Sequence, residues 1–88
     1  MKIIKLNRRF RQFKEANHQI GFRFDSYNAD CTAIESALRD ITRAGGWERW
    51  GDWYSYFGTA RNAFGIRPYF ITVRTEEIAT MALLKAGI

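Results

Sequence analysis

Few side chains in this sequence can take part in a reaction, and each stands alone. There is one histidine, His18, and one cysteine, Cys31. Acid–base or nucleophilic catalysis needs a base within reach of its partner group. His18 follows Asn17 in a segment that reads as a turn, where a solvated imidazole is expected. Cys31 falls in the first turn of an expected helix, a place that can lower a thiol pKa. With no general base at recognisable spacing, it reads as a small buried thiol. One His and one Cys cannot build the usual Cys/His zinc site. The carboxylate pairs Glu48/Asp52 and Glu35/Asp40 read as solvated surface. Gly45-Gly46 lacks the lysine and spacing of a phosphate loop, and Gly58 to Gly65 lacks G-x-G-x-x-G. The expectation is a chain that is not an enzyme, holds no metal and uses no cofactor.

Binding chemistry is better represented. The stretch Trp47 to Phe70 carries all three tryptophans, three of the four tyrosines and three of the seven phenylalanines. Large stiff rings dominate both small cores and interface hot spots, and arginine joins them at the latter. A protein-binding surface built from Trp47, Arg49, Trp50, Trp53, Tyr54, Tyr56, Arg61 and Phe70 is therefore expected. The competing reading is plain core, and in so small a domain at least half of these rings must be core.

Charge offers a second surface. Residues 1–19 hold Lys2, Lys5, Arg8, Arg9, Arg11 and Lys14 against Glu15, whereas basic and acidic side chains balance over residues 20–88. The whole net charge of +5 thus sits in the first segment. Arg8, Arg9, Arg11 and Lys14, joined by Arg23 and Arg74, could engage a nucleic-acid backbone while Phe10 and Phe13 stack on bases. Against this, no RNP-type run, helix-turn-helix or KH signature is present. Lys and Arg also guard sheet edges against unwanted pairing. Nucleic acid is the alternative partner; a protein is the first.

These residues must be held by a single domain spanning 1–88. The lone cysteine fits a reducing cytosol, and no apolar run approaches the roughly 18 residues of a membrane span. The start has no apolar h-region of a secretory signal. Residues 2–16 read two ways: Ile3, Leu6, Phe10 and Phe13 share a helical stripe, while a hairpin with Asn17-His18 at its tip would give the next segment a neighbour. Ile20, Phe22 and Phe24 alternate with Gly21, Arg23 and Asp25, a half-buried strand. Asn28 or Asp30 then caps a helix over about 29–44, buried along Ile34, Ala37, Leu38 and Ile41 and closed by Gly45-Gly46.

A loop or single turn at 47–52 leads to a strand at 53–58, composed as strands are. Thr59 to Phe64 reads as a short helix closed by Gly65. Pro68 opens a strand over Tyr69–Val73, where its missing N–H does little harm. Thr75 caps a last helix with Glu76 and Glu77 in its first turn and Gly87 beyond, buried by Ile78, Met81, Ala82 and Leu83 or Leu84. The expected fold is α+β: a four-stranded antiparallel sheet in ββαββα order, with two helices on one face. The opposite face presents Arg23, Phe70, Thr72, Arg74 and one row from 53–57, either as an open contact surface or under a cover made by the N-terminal segment or by 59–66.

The layout of a charged first segment, an F-x-F strand (Phe22, Phe24) with its helix, a Trp-rich middle, an aromatic strand and a T-E-E-capped Ala/Leu helix (Tyr69 to Leu84) resembles small accessory proteins of tailed bacteriophages. The resemblance is one of pattern, carries no diagnostic motif and brings no site residues with it. It implies a non-enzymatic protein acting in a bacterial cytoplasm by binding, and inhibiting, a host protein such as a polymerase, nucleoid or defence component, as anti-CRISPR proteins do.

Overall fold

Alternation decides the centre of the molecule. In the computed structural model, which describes residues 1–42 and 51–88, Ile20, Phe22 and Phe24 point to one side of a strand and are sealed from water. The elements run β1 (Lys2–Lys5), α1 (Arg11–Ala16), β2 (Ile20–Phe24), α2 (Ala29–Thr42), β3 (Trp53–Phe57), β4 (Tyr69–Val73) and α3 (Glu76–Ala86). All strand pairs are antiparallel and the sheet order is β1-β2-β4-β3. The fold is α+β, with the four-stranded sheet and two covering helices that the sequence implies. A third helix, α1, is added between β1 and β2.

Helix starts follow local chemistry. The Asn28 side-chain oxygen accepts from the backbone N–H of Asp30 at 3.0 Å and Cys31 at 3.2 Å, satisfying donors that α2 leaves open. Thr75 Oγ1 does the same for Ile78 N–H at 3.1 Å, and Gly87 closes α3 in the left-handed region at φ 73°. The described part of α2 ends at Thr42, so the Gly45-Gly46 stop and the loop or turn at 47–50 lie outside the described residues.

The core lies between the sheet and these two helices. Ile20, Phe22 and Phe24 from β2 and Tyr69, Ile71 and Val73 from β4 meet Cys31, Ile34, Ala37 and Leu38 of α2 and Ala79 and Ala82 of α3. The thiol of Cys31 is buried there, as expected, and burial pushes its pKa up rather than down. Each small alanine lets α3 approach closely. That rotation turns Met81 and Leu84 outward, 45% and 78% exposed, contrary to the expectation for Met81; Leu83 is the leucine that packs inward.

The first segment is neither a plain hairpin nor one long helix. β1 pairs β2 with Ile3 opposite Phe22 and Lys5 opposite Ile20, and α1 is inserted before β2 begins. Asn17 is not a hairpin tip. It adopts φ 57° as the C-cap of α1, a conformation asparagine accepts more readily than most residues. Residues 59–64 are also not helical. The Asn62 side chain takes the N–H groups of Phe64 at 2.8 Å and Ile66 at 3.0 Å, bonds that compete with a helix ladder. Gly65, at φ 77°, turns that loop back toward β4.

Candidate binding surface

Cross-strand register assigns each aromatic to a side, because residues directly opposite share a face. Trp53, Ser55 and Phe57 stand opposite Val73, Ile71 and Tyr69, so they belong to the helix-covered face. Tyr54 and Tyr56 stand opposite Thr72 and Phe70, and these in turn oppose Gly21 and Arg23, which oppose Ile4 and Lys2. The second face therefore carries two rows: Ile4–Gly21–Thr72–Tyr54 and Lys2–Arg23–Phe70–Tyr56.

The first row is covered. Leu6 packs over Gly21, where an added Cβ would meet the Leu6 Cδ2 at 3.0 Å. His18 packs over Thr72: its Nδ1 lies 2.9 Å from Thr72 Oγ1 and its Nε2 lies 3.0 Å from the Gly51 carbonyl oxygen. A carbonyl can only accept, so Nε2 carries the proton and Nδ1 accepts from the Thr72 hydroxyl. The expectation of a solvated turn histidine is overturned, since His18 is 0% exposed. Burial pushes its pKa below the ordinary 6.5 and nearby Arg74 adds to this, while the Gly51 bond and Asp52 pull the other way. Beside it, Arg74 bonds Asp52 at 3.2 Å and the Gly51 carbonyl at 3.1 Å, fixing the start of β3 to the end of β4.

The second row remains partly open. Tyr56 stacks on Phe70, with centroids 5.1 Å apart and planes 12° from parallel, and Tyr54 lies beside Tyr56 at 5.9 Å. All three rings are half-buried. Burial raises the Tyr56 pKa, against a hydrogen bond from Gln12 of α1. Arg23 is exposed next to Phe70. The row is floored at its end by Gly58, whose missing Cβ would lie 2.8 Å from Pro68 Cγ and 2.9 Å from Phe70 Cε2. Past that glycine, a depression of about 310 Å³ is lined by Arg23, Asp25, Arg61, Ile66 and Pro68. Both sequence readings of this face hold in part: the N-terminal segment covers one row and leaves the other.

The expected site residues thus separate. Tyr54, Tyr56 and Phe70 come together, and Arg61 stands at the adjoining loop, where it bonds the Gly65 carbonyl at 2.8 Å. Trp53 goes to the other face, half-buried against the core with the Arg39 guanidinium 5.7 Å from its ring centroid. Trp47, Arg49 and Trp50 lie outside the described residues. Of the alternative cationic set, Arg11 pairs with Glu15 at 3.2 Å and Arg74 is held by Asp52, while Arg8, Arg9, Lys14 and Arg23 are exposed.

The chain matches no protein-family model, curated protein or solved structure.

Three features escaped the sequence reading. Phe64 and Ile66, on the loop between β3 and β4, are 86% and 43% exposed. Phe57 is exposed in a corner with Tyr27 and Tyr69, under the Arg67 guanidinium at 5.2 Å. Glu35 is buried: its Oε1 accepts from the Tyr69 hydroxyl at 2.5 Å, and burial, with Glu35 next, pushes the Tyr69 pKa up to about 12. A Phe within x-Ala-Phe-Gly, beside an Asn that holds a turn, was the available signal for the first. Nothing in the spacing of Glu35 sets it apart from a surface glutamate. Among the described residues there is no group of three His, Cys, Asp or Glu side chains placed to hold a metal, and no helix long and apolar enough to cross a membrane.

Proposed function

We propose that this chain is a non-enzymatic binding protein that engages another protein through the open half of the second sheet face and the loop beyond it. The contact surface comprises Tyr56 and Phe70, the flanking Arg23 and Arg61, and the loop residues Phe64 and Ile66. The observation that carries this reading is Phe64, left 86% exposed at a loop tip, whereas every other described ring but Tyr27 and Phe57 is buried or half-buried. Burying such a side chain is worth about 1.5–3 kcal/mol, which folding of this chain forgoes. Aromatics with arginines beside them, on a loop carried by a fixed sheet, are the composition of interface hot spots. The sequestered positions of His18 and Cys31 support a role without catalysis. The resemblance to bacteriophage accessory proteins suggests a bacterial host protein as the partner and inhibition as the effect.

A nucleic-acid reading keeps one specific observation. Lys2 and Arg23 stand directly opposite each other on the same face, a like-charge pair that an anion would relieve. Affinity capture from a bacterial lysate separates the two. A host protein retained after nuclease treatment and at raised salt, and lost from the Phe64→Ala/Arg61→Ala variant, is the expected result. Capture that vanishes with nuclease, or is unchanged in that variant, rejects the proposal.

A further inference from the structure

The two outer strands of the sheet are protected unequally. β1, Lys-Ile-Ile-Lys, has a lysine at each end, the usual guard of an exposed edge. β3, Trp-Tyr-Ser-Tyr-Phe, has no charge, no proline and no bulge, and it is also an edge. Its pairing with β4 is anchored by Arg74 N–H to the Asp52 carbonyl at 2.8 Å and Gly58 N–H to the Pro68 carbonyl at 2.7 Å. Antiparallel pairs alternate between bonded and non-bonded, so Asp52, Tyr54, Tyr56 and Gly58 turn their backbone groups toward β4. The N–H and C=O groups of Trp53, Ser55 and Phe57 consequently point outward, and among the described residues no backbone group bonds to them.

We propose that β3 pairs antiparallel with β3 of a second copy of this chain, about a two-fold axis through Ser55, to form one continuous eight-stranded sheet. The strand is suited to a partner identical to itself because its residues read nearly the same from either end. Centred on Ser55, the register sets Tyr54 against Tyr56 of the other copy and Trp53 against Phe57. These are aromatic cross-strand pairs, which stabilise a ladder beyond its backbone bonds. The parity also agrees: 53, 55 and 57 are the outward-bonding positions, and this register pairs only those positions with one another. Three bonded pairs with two bonds each supply about six N–H···O bonds. A two-fold axis requires that self-complementary arrangement. The pairing uses the strand edge and not the loop at 59–68, so its failure leaves the protein-binding reading standing.

The test is molar mass against concentration by light scattering, combined with amide hydrogen exchange on the full chain. The expected result is a particle of twice the chain mass at high concentration. Exchange at Trp53, Ser55 and Phe57 should then be at least roughly tenfold slower than in dilute protein, as mass action requires. Ser55→Pro removes the outward N–H, which edge strands tolerate, together with the Ser55 hydroxyl bond to Tyr69, and should return the chain to monomer with its helix signal retained. Should that variant not fold, Ser55→Cys gives an independent measure. Bonded antiparallel partners have Cα atoms about 5.5 Å apart, within disulfide range, so mild oxidation should link two copies through residue 55. A chain that stays monomeric throughout overturns the inference. So does a dimer in which those three amides exchange equally fast at both concentrations, or a Ser55→Cys chain that does not cross-link.

Discussion

On the face beneath α2 and α3, Ile20, Phe22, Phe24, Ile71 and Val73 lose their water to apolar neighbours. On the opposite face, Gly21 and Thr72 are covered by Leu6 and His18, and Gln12 reaches only the hydroxyl of the half-buried Tyr56. The first face is held chiefly by buried area, together with the buried Tyr69–Glu35 hydrogen bond. The second is closed by Leu6 and by a few polar contacts whose donors and acceptors must match, because a buried polar group left unpaired costs more than a made bond gains. The difference teaches where function can sit. A face closed by area must be complete, whereas one closed by discrete contacts can stop half-way, and here it stops at the row of Arg23, Phe70 and Tyr56.

The largest expected effect lies on the dry face. Phe22→Ala should cost about 3–5 kcal/mol in denaturant unfolding, through lost transfer energy and the cavity left behind. A domain of this size has only about 5–15 kcal/mol in all, so the variant should be near its folding limit. A loss below about 1 kcal/mol would mean that the core is not where Phe22, sealed at 0% exposure, puts it.

An intermediate effect is expected at His18. His18→Leu removes both ring bonds and leaves the Thr72 hydroxyl and the Gly51 carbonyl without that partner, at about 1–3 kcal/mol. The contact is also sensitive to pH. The folded pKa lies below the ordinary 6.5, so in acid the unfolded chain takes up the proton first. Stability is therefore full above that ordinary value and declines as pH falls through it toward the folded value. The wild-type minus His18→Leu difference should shrink across this window. A difference that stays flat or grows in acid would place the charged imidazole, not the neutral one, in the native state.

The contrast between faces also sets what could be read from sequence. Strict alternation in 20–24 and 69–73, the Thr75 cap and the Gly87 stop each state their role locally, and the fold class follows from them. His18, Gln12 and Glu35 do not, because their burial depends on partners at Thr72, Tyr56 and Tyr69, far along the chain. Residue type points such side chains outward, and only the assembled sheet turns them in. The site was legible to the same extent. Tyr54, Tyr56 and Phe70 share a face because alternation fixes it, while Trp53, one residue from Tyr54, is sent to the other side by the same rule. Phe64 went unassigned because a short helix at 59–64 offered to bury it, and the Asn62 turn prevents that helix.

The smallest effect is expected where charge is densest. Arg8, Arg9 and Arg11 are all exposed, and the Arg11–Glu15 pair, four residues apart on α1, is of the surface kind worth about 0.3–0.5 kcal/mol. α1 is fastened to the sheet by Gln12, and the segment before it by Leu6, with neither attachment using a cation. Arg8→Ala/Arg9→Ala/Arg11→Ala should therefore unfold within about 1 kcal/mol of the wild type. It should also retain its protein partner at unchanged salt dependence, since the proposed contact uses Phe64, Phe70 and Arg61. Loss of all binding in the triple variant, with a steep salt dependence in the wild type, would move the functional surface from the open row to the cations around α1.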